Sequence, residues 1–313
     1  MIYHFILNPK SGQSPQQKEM EQKIVDACLK RQLSYHIYYT TCRKNSITYI
    51  RSMIKEYPDE RQRFICVGGD GTINEVANSA AGNPNIEFGV IPNGSGNDFV
   101  RNFTARKRFT EIDSQIDGEV HTFDLIKCND DYCVNMVNIG FDCQVVLEAD
   151  KFRKYKFISP SISYILGTVV GFFFRRIGTK MKIMFDDGEV IDKELTLTAI
   201  GNGKFCGGGF MSAPRASLSD GLMDICIIDK VNKPTFIQLV GSYKAGTFLE
   251  KKSAQKIITY KQTNHFVMEF EEPIPICIDG EVSNAKSVDF TVIPKEFNFV
   301  IPKGSALKYP DKK

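Results

Sequence analysis

The sequence predicts an α/β fold: an N-terminal domain with a doubly wound, largely parallel sheet, then a C-terminal antiparallel β-sandwich. Three observations predict it. Through the first third, short apolar runs alternate with segments of helical period, the pattern of βαβ units. Near residue 120 the pattern changes to short strands separated by turn signals such as Asn129-Asp130 and Asp186-Asp187-Gly188. The chain also has 313 residues, too many for one small core and enough for two ordinary domains.

The elements follow in order. Ile2–Leu7 reads as a strand, and Asn8-Pro9-Lys10-Ser11-Gly12 as the loop after it. Residues 15–31 read as a helix, with Met20, Ile24, Ala27 and Cys28 on one side. His36–Tyr39 is a second strand, and Ile47, Ile50 and Ile54 mark a second helix. Phe64–Val67 and Phe88–Ile91 are the next strands, each ending in a glycine-bearing loop. In the second domain, Phe123–Lys127 and Tyr132–Val137 pair as a hairpin, as do Lys180–Phe185 and Val190–Ile200. Leu222–Ile228, Ile257–Tyr260, Phe266–Phe270, Ile274–Ile278 and Val288–Ile293 are further strands, with helical insertions near 144–176 and 234–249.

Composition narrows the function classes. Apolar content of 42% and charged content of 25% are ordinary for a globular protein. A net charge of +3 is too mild for a nucleic-acid binder, and fits contact with an anionic membrane only weakly. Nine cysteines without C-x-x-C spacing read as reduced thiols, with Cys66 and Cys226 as core fillers. The chain opens on a strand with no signal-peptide pattern, so a cytoplasmic protein is expected. Phe157–Phe174 carries no charge over 18 residues. A helix begun by Ser159-Pro160 and running from 160 to 175 would be about 24 Å long, short of the roughly 30 Å of hydrocarbon. It reads as a core helix or a lipid-facing one. In the second case Tyr164 and Phe172–Phe174 meet acyl chains, and Arg175-Arg176 meet headgroups.

The glycine loop carries the first chemical signal. After the apolar strand come Gly68 and Gly69, then Asp70, Gly71 and Thr72. Thr72 and Glu75 make a capping-box pattern, and Ile73, Val76, Ala77 and Ala80 a helical stripe. Strand, tight turn and helix N-terminus together form an anion site, because first-turn N–H groups point outward and the dipole is positive there. Asp70 would repel a bare phosphate but could hold Mg²⁺ that bridges phosphates. Taken alone, a glycine turn with an idle Asp70 explains the loop better. Two further polar loops, Asn8–Gly12 and Gly94–Asn97, fall on the same predicted sheet edge, where open α/β sheets bind ligands. No G-x-x-x-x-G-K-[ST] or G-x-G-x-x-G pattern competes.

NPKSG at 8–12, GGDGTINEV at 68–76, PNGSGNDF at 92–99, FDL at 123–125, NIGFD at 138–142, GGGFMSAPRASLSDGLMDI at 207–225 and DGE at 279–281 follow one another along nearly the whole chain. In this set and order the sequence resembles the diacylglycerol kinase catalytic-domain family, which includes bacterial soluble lipid kinases and sphingosine kinases. GGDG alone also occurs in NAD kinases and phosphofructokinases; the later motifs make the match more specific. The resemblance implies an α/β nucleotide-binding domain over residues 1–125 with 297–313 returning to it, a β-sandwich lipid-substrate domain over 126–296, and an active cleft between them. It implies nucleotide contacts from Asn8, Pro9, Lys10, Ser11, Gly12, Thr40, Gly68, Gly69, Asp70, Gly71, Thr72, Ile73, Asn74 and Ser95. Thr40 is followed here by Arg43-Lys44-Asn45-Ser46 instead of the usual glycine-containing stretch, and Ser95 replaces a more frequent threonine.

The resemblance also gives the acidic residues roles. Asp70 and Glu281 become catalytic, Glu281 as the base that takes the proton of a lipid hydroxyl. Without it, Asp279-Gly280-Glu281 is an acidic turn. Ser217–Leu222 is a β-turn on its own. By resemblance it is a Mg²⁺ site made of Asp220 and the carbonyls of Ser217 and Leu222, linked to Asp70, with Asp124 in the same network. The implied activity is transfer of the ATP γ-phosphoryl group to a lipid hydroxyl, diacylglycerol first, by a cytoplasmic protein peripheral to the inner face of the membrane. A sphingoid base or another lipid alcohol, a soluble acceptor such as NAD, and a non-catalytic nucleotide- or lipid-binding protein are the alternatives. Oligomeric state is open, a homodimer included.

Overall fold

The computed structural model describes residues 1–7, 15–41, 45–153 and 178–310. The loop at 8–12 and the apolar segment 157–174 lie outside these residues. The chain divides into two units, Met1–Asp124 with Pro294–Lys313, and Leu125–Ile293.

In the N-terminal unit, β1 (Ile2–Leu7) pairs with β2 (Ser34–Tyr39) on one side and β3 (Gln62–Gly68) on the other, and β4 (Ile86–Pro92) lies beyond β3. All these pairs are parallel. Parallel neighbours cannot be joined by a tight turn, so helices make the crossovers: α1 (Pro15–Lys30), α2 (Asn45–Glu56) and α3 (Asp70–Ala80). Side chains alternate across the sheet. Tyr3, Phe5 and Leu7 pack with Ile24 and Cys28 of α1 and with Ile112 and Ile116 of α4 (Ile112–Ile116). His4, on the other face, meets Tyr49 of α2. With both faces covered, the strands read as unbroken apolar runs, which is why they were legible. Buried Arg63 pairs with Glu87 at 2.7 Å and donates to the carbonyls of Gln115 (3.2 Å) and Ile116 (2.8 Å), placing positive charge at the C-terminal end of α4.

In the C-terminal unit the strands are antiparallel. They are β5 (Glu119–Cys128), which begins in the first unit, β6 (Asp131–Cys133), β7 (Met136–Gly140), β8 (Thr179–Phe185), β9 (Val190–Gly201), β10 (Met223–Asp229), β11 (Ile258–Thr263), β12 (His265–Ile278) and β13 (Glu281–Ile301). The hydrogen-bonded order is β11-β10-β9-β7-β12-β13, with β8 bridging β9 and β12. On β10, Met223, Ile225 and Ile227 enter the sandwich core, while Cys226 and Ile228 face a second core under α5 (Phe141–Arg153) and α6 (Lys233–Ala245). The eight described cysteines are free and buried. Among the described residues no helix is long and apolar enough to cross a membrane.

Three strand expectations change. Phe266–Phe270 and Ile274–Ile278 belong to the single strand β12, whose register shifts between Glu269 and Ile274. Val288–Ile293 and Phe297–Ile301 belong to the single strand β13. Pro294-Lys295 reads as a break, but the Lys295 N–H is held by Asp124 Oδ1 at 2.9 Å while Lys295 sits at φ 57°, so the strand continues through the irregularity. Beyond it, Phe299 pairs in parallel with Phe88, and Thr104 and Asn102 pin the last residues through Ala306 and Lys308. Third, Tyr132–Val137 is not one strand: β6 and β7 are separated at Val134 and Asn135. The cause is Asp279, whose buried carboxylate accepts the N–H groups of Val134 (2.7 Å), Asn135 (3.0 Å) and Met136 (3.0 Å), with the Cys133 thiol at 3.3 Å. These amides turn toward one point instead of toward a neighbouring strand.

Two outcomes test this packing. Replacing Asp279 by Asn presents an amide to three N–H donors and should destabilise the protein by about 3 kcal/mol in urea unfolding at neutral pH; a change within about 0.5 kcal/mol would show that the clamp holds nothing. The second concerns His4, stacked between His36 (5.1 Å) and Phe64 (4.4 Å). Burial pushes its pKa down to about 4. The unfolded chain therefore takes this proton first, so the His4 contribution is complete above pH 6.5 and falls as pH drops toward 4. A His4→Phe variant should lose less stability than the parent across that window; parallel pH curves would contradict it.

Candidate functional site

The order β2-β1-β3-β4 reverses direction at β1: the chain leaves β1 for one neighbour and returns to the other side of it. The carboxyl ends of β1 and β3 therefore flank the switch point where open α/β sheets leave a crevice. β1 ends at Leu7 and β3 at Gly68, which leads directly into α3.

The start of α3 differs from the capping-box expectation. Gly69 is the N-cap, in extended conformation, and its carbonyl accepts the N–H groups of Thr72 (3.0 Å) and Ile73 (3.2 Å). Asp70 is thus the first helical residue, and Thr72 lies inside the first turn. Glu75 accepts the Ser46 hydroxyl of α2. The helix begins early because the turn is tight: a Cβ on Gly68 would lie 2.1 Å from Thr72 Oγ1. The Gly71 N–H has no carbonyl one turn earlier within the helix and points out of its end.

A second loop packs on the first. Asn93 N donates to Gly68 O at 2.8 Å, continuing the β3–β4 pairing into the loops. Past it the two backbones nearly touch. A Cβ on Gly94 would lie 2.6 Å from Gly69 Cα, and one on Gly69 would lie 2.9 Å from Gly94 Cα. Asn97, at φ 48°, closes the second loop by accepting from Gly94 N (3.0 Å) and donating to Gly94 O (2.8 Å). Asp70 Oδ1 accepts the Phe99 N–H at 3.0 Å. So Asp70 has a task independent of any metal, and it is not idle, as the loop taken alone suggested. A Cβ on Gly96 would lie 3.0 Å from Asp70 Oδ2 and 3.2 Å from Asp98 Oδ2, so both carboxylates face the Gly96 backbone. Buried Asp98 is steadied by Arg101 at 3.0 Å, and Arg101 also donates to Gly96 O at 3.1 Å.

The structure thus gathers Gly68, Gly69, Asp70, Gly71 and Thr72 with Ser95 on two touching loops. Ile73 turns its side chain into the core, and Asn74 follows it on α3. Thr40 stands at the end of β2, its N–H on Leu7 O at 2.9 Å and its hydroxyl 3.3 Å from the same oxygen, on this sheet edge. Asp124 is buried on Lys295, as described above. Asp98 and Arg101 received no role from sequence reasoning; the acid–base pair three residues apart at the end of the second loop was the available signal.

In the C-terminal unit, Ser217, Asp220 and Leu222 share one turn. Asp220 Oδ1 accepts the Leu222 N–H at 3.1 Å, Ser217 Oγ accepts the Ser219 N–H at 3.4 Å, and Gly221 has φ 75°. These are the bonds of an acidic turn. Their donors are oxygen only, the kind Mg²⁺ takes. Among the described residues no three His, Cys, Asp or Glu side chains are grouped to hold a metal ion. Two residues on, buried Asp224 accepts from Gln262 at 3.2 Å, and burial pushes its pKa up to about 6. Glu281, half-buried, opens β13 opposite Ile278. Its neighbour Asp279 is committed to the clamp. The same unit holds an apolar cavity between β7, β9 and the helices α5 and α6, partly open to solvent. Phe141, Leu197, Phe210, Phe236, Leu239 and Tyr243 are among its lining residues.

In comparisons with known proteins, two family models match in succession along the chain. Residues 3–128 match the family model described as the diacylglycerol kinase catalytic domain, and residues 135–301 match the YegS C-terminal NAD kinase beta sandwich-like domain. The chain is 28% identical over 266 residues to a Shewanella frigidimarina protein named "Probable lipid kinase YegS-like", covering 82% of each chain. It is 26% identical over 312 residues to the diacylglycerol kinase of Bacillus subtilis, covering 98% of each. A crystal structure of a diacylglycerol kinase from Bacillus anthracis str. Sterne has the same fold, with a TM-score of 0.69 at 22% identity, over 96% of this chain and 97% of that one. With both of its units matched in order, the chain belongs to the diacylglycerol kinase catalytic-domain family, in the branch that carries the YegS-type C-terminal domain.

Proposed function

We propose that this protein is a lipid kinase that transfers the γ-phosphoryl group of ATP to the hydroxyl of a lipid alcohol, diacylglycerol first, giving phosphatidic acid. The observation that carries the reading is the contact of the two glycine loops at the carboxyl edge of the parallel sheet. Side-chain-free backbone lets phosphate oxygens approach amides directly, and the positive end of the α3 dipole favours the anion. Gly68–Thr72 and Ser95 hold the nucleotide phosphates in this reading, with Thr40 on the same sheet edge; Asn8–Gly12 are further nucleotide contacts by resemblance to the family.

Glu281 serves as the base. The lipid oxygen attacks the γ-phosphorus, its proton passes to the Glu281 carboxylate, the bond to the bridging oxygen breaks, and ADP leaves. The oxygen donors of the Ser217–Leu222 turn, Asp220 and the carbonyls of Ser217 and Leu222, would hold Mg²⁺, and the carboxylates of Asp70 and Asp98 are of the same donor class. Mg²⁺ would offset negative charge between phosphates and carboxylates when bound. The apolar cavity of the C-terminal unit suits an acyl chain. The protein acts on lipid at a membrane surface as a peripheral protein.

The test is a lipid panel in mixed micelles with γ-labelled ATP and Mg²⁺. Labelled phosphatidic acid is expected, and Glu281→Gln should lower kcat by about 10²-fold or more while leaving the ATP KM and the melting temperature near the parent values. A panel with no labelled lipid, or labelling of NAD instead, would overturn the reading, and a fully active Glu281→Gln would remove Glu281 as the base.

A further inference from the structure

We infer that α6 is the face by which the C-terminal unit docks on an anionic lipid surface. The inference deepens the lipid-kinase reading, on which the choice of occupant rests. α6 is well formed: Asn232 caps it by accepting the Thr235 N–H at 2.9 Å, Pro234 lies in the first turn, and Gly246 ends it at φ 71°. Its inner side, Phe236, Leu239 and Tyr243, is buried against the apolar cavity. Its outer side is unusual. Pro234, Ile237, Gln238, Gly241 and Ala245 recur at three- and four-residue spacing and are exposed, Ile237 at 62%. A surface helix normally carries charge there. On this side charge is confined to the helix ends, Lys233 and Lys244, and no Asp or Glu occurs between Asp229 and Glu250.

Along the segment that carries the stripe, positive charge outnumbers negative. Between residues 230 and 252 stand five lysines, 230, 233, 244, 251 and 252, against the single carboxylate of Glu250. Lys230 pairs with Glu194, and Lys244 lies 5.6 Å over the Phe210 ring. Lys251 and Lys252 are exposed, and among the described residues neither forms an ion pair. A small apolar ridge rimmed by lysines matches the boundary of an anionic bilayer: Ile237 enters the acyl region, and the lysine stems reach back to headgroup phosphates. Protein interfaces are depleted in lysine, which favours lipid over a protein partner. The helix is also the wall of the apolar cavity, so docking would bring that cavity to the membrane boundary.

The experiment is sedimentation of the full-length protein with phosphatidylcholine vesicles and with mixed phosphatidylcholine–phosphatidylglycerol vesicles. The parent should bind the mixed vesicles, more weakly as salt rises, and bind the neutral ones poorly. Lys251→Gln/Lys252→Gln should bind about 30-fold more weakly, and Ile237→Asp about tenfold more weakly or worse. Both should retain the parent's turnover of a short-chain diacylglycerol in solution, which needs no vesicle. The lysine pair lies on an exposed turn, so its variant remains informative if Ile237→Asp lowers stability. Parent-like vesicle binding by both variants overturns the inference. So does an oligomer that Ile237→Asp dissociates with vesicle binding intact, which would make α6 a protein interface. Vesicle binding that depends on α6 in a protein that phosphorylates no lipid would support the surface while removing the kinase reading.

Discussion

The close approach of Gly69 and Gly94 is the constraint on which the candidate site rests. β3 and β4 are parallel neighbours, so their carboxyl ends emerge side by side, and the Asn93–Gly68 hydrogen bond extends the ladder one step beyond the strands. From there the two chains must pass at a distance that leaves no room for a Cβ on either side. A substitution at one glycine therefore displaces the other loop. The reward is a patch of side-chain-free backbone beside a helix N-terminus, held by the sheet instead of by flexible side chains.

Carboxylates fix much of the remaining geometry, and each does so by taking backbone N–H groups from a distant segment. Asp70 holds Phe99, Asp124 holds Lys295, and Asp279 holds Val134, Asn135 and Met136. Charge-assisted bonds to amides are strong, and they order loops that lack regular pairing. Acidic residues in a kinase motif invite an assignment to metal or catalysis. Here three of them have positioning work visible in the fold, and the proposal gives proton transfer to Glu281, at the start of β13.

The legibility of the sequence followed the range of the interactions. The parallel strands were readable because burial on both faces writes continuous apolar runs into the chain. The α6 boundaries were near the expected 234–249 because its cap residues, Asn232 and Gly246, are local. The start of α3 was misread for the opposite reason: Thr72 and Glu75 satisfy a local rule, but Glu75 finds Ser46 on α2 and Gly69 caps the helix. The unbroken β13 depends on Asp124, 171 residues from Lys295, and the split of β6 from β7 on Asp279, which no window of sequence contains. In the site, the two glycine loops were visible as motifs. Their contact was not, because it follows from which strands become neighbours.

Hydrogen exchange in the presence and absence of ATP with Mg²⁺ reads the central claim most directly. If the paired loops hold the phosphates, the nucleotide should slow exchange at the amides of Gly69–Ile73 and Gly94–Phe99 and leave the β8–β9 hairpin unchanged. Nucleotide binding, measured as heat in the same sample, with no protection at either loop would contradict it and move the phosphate site elsewhere on the chain.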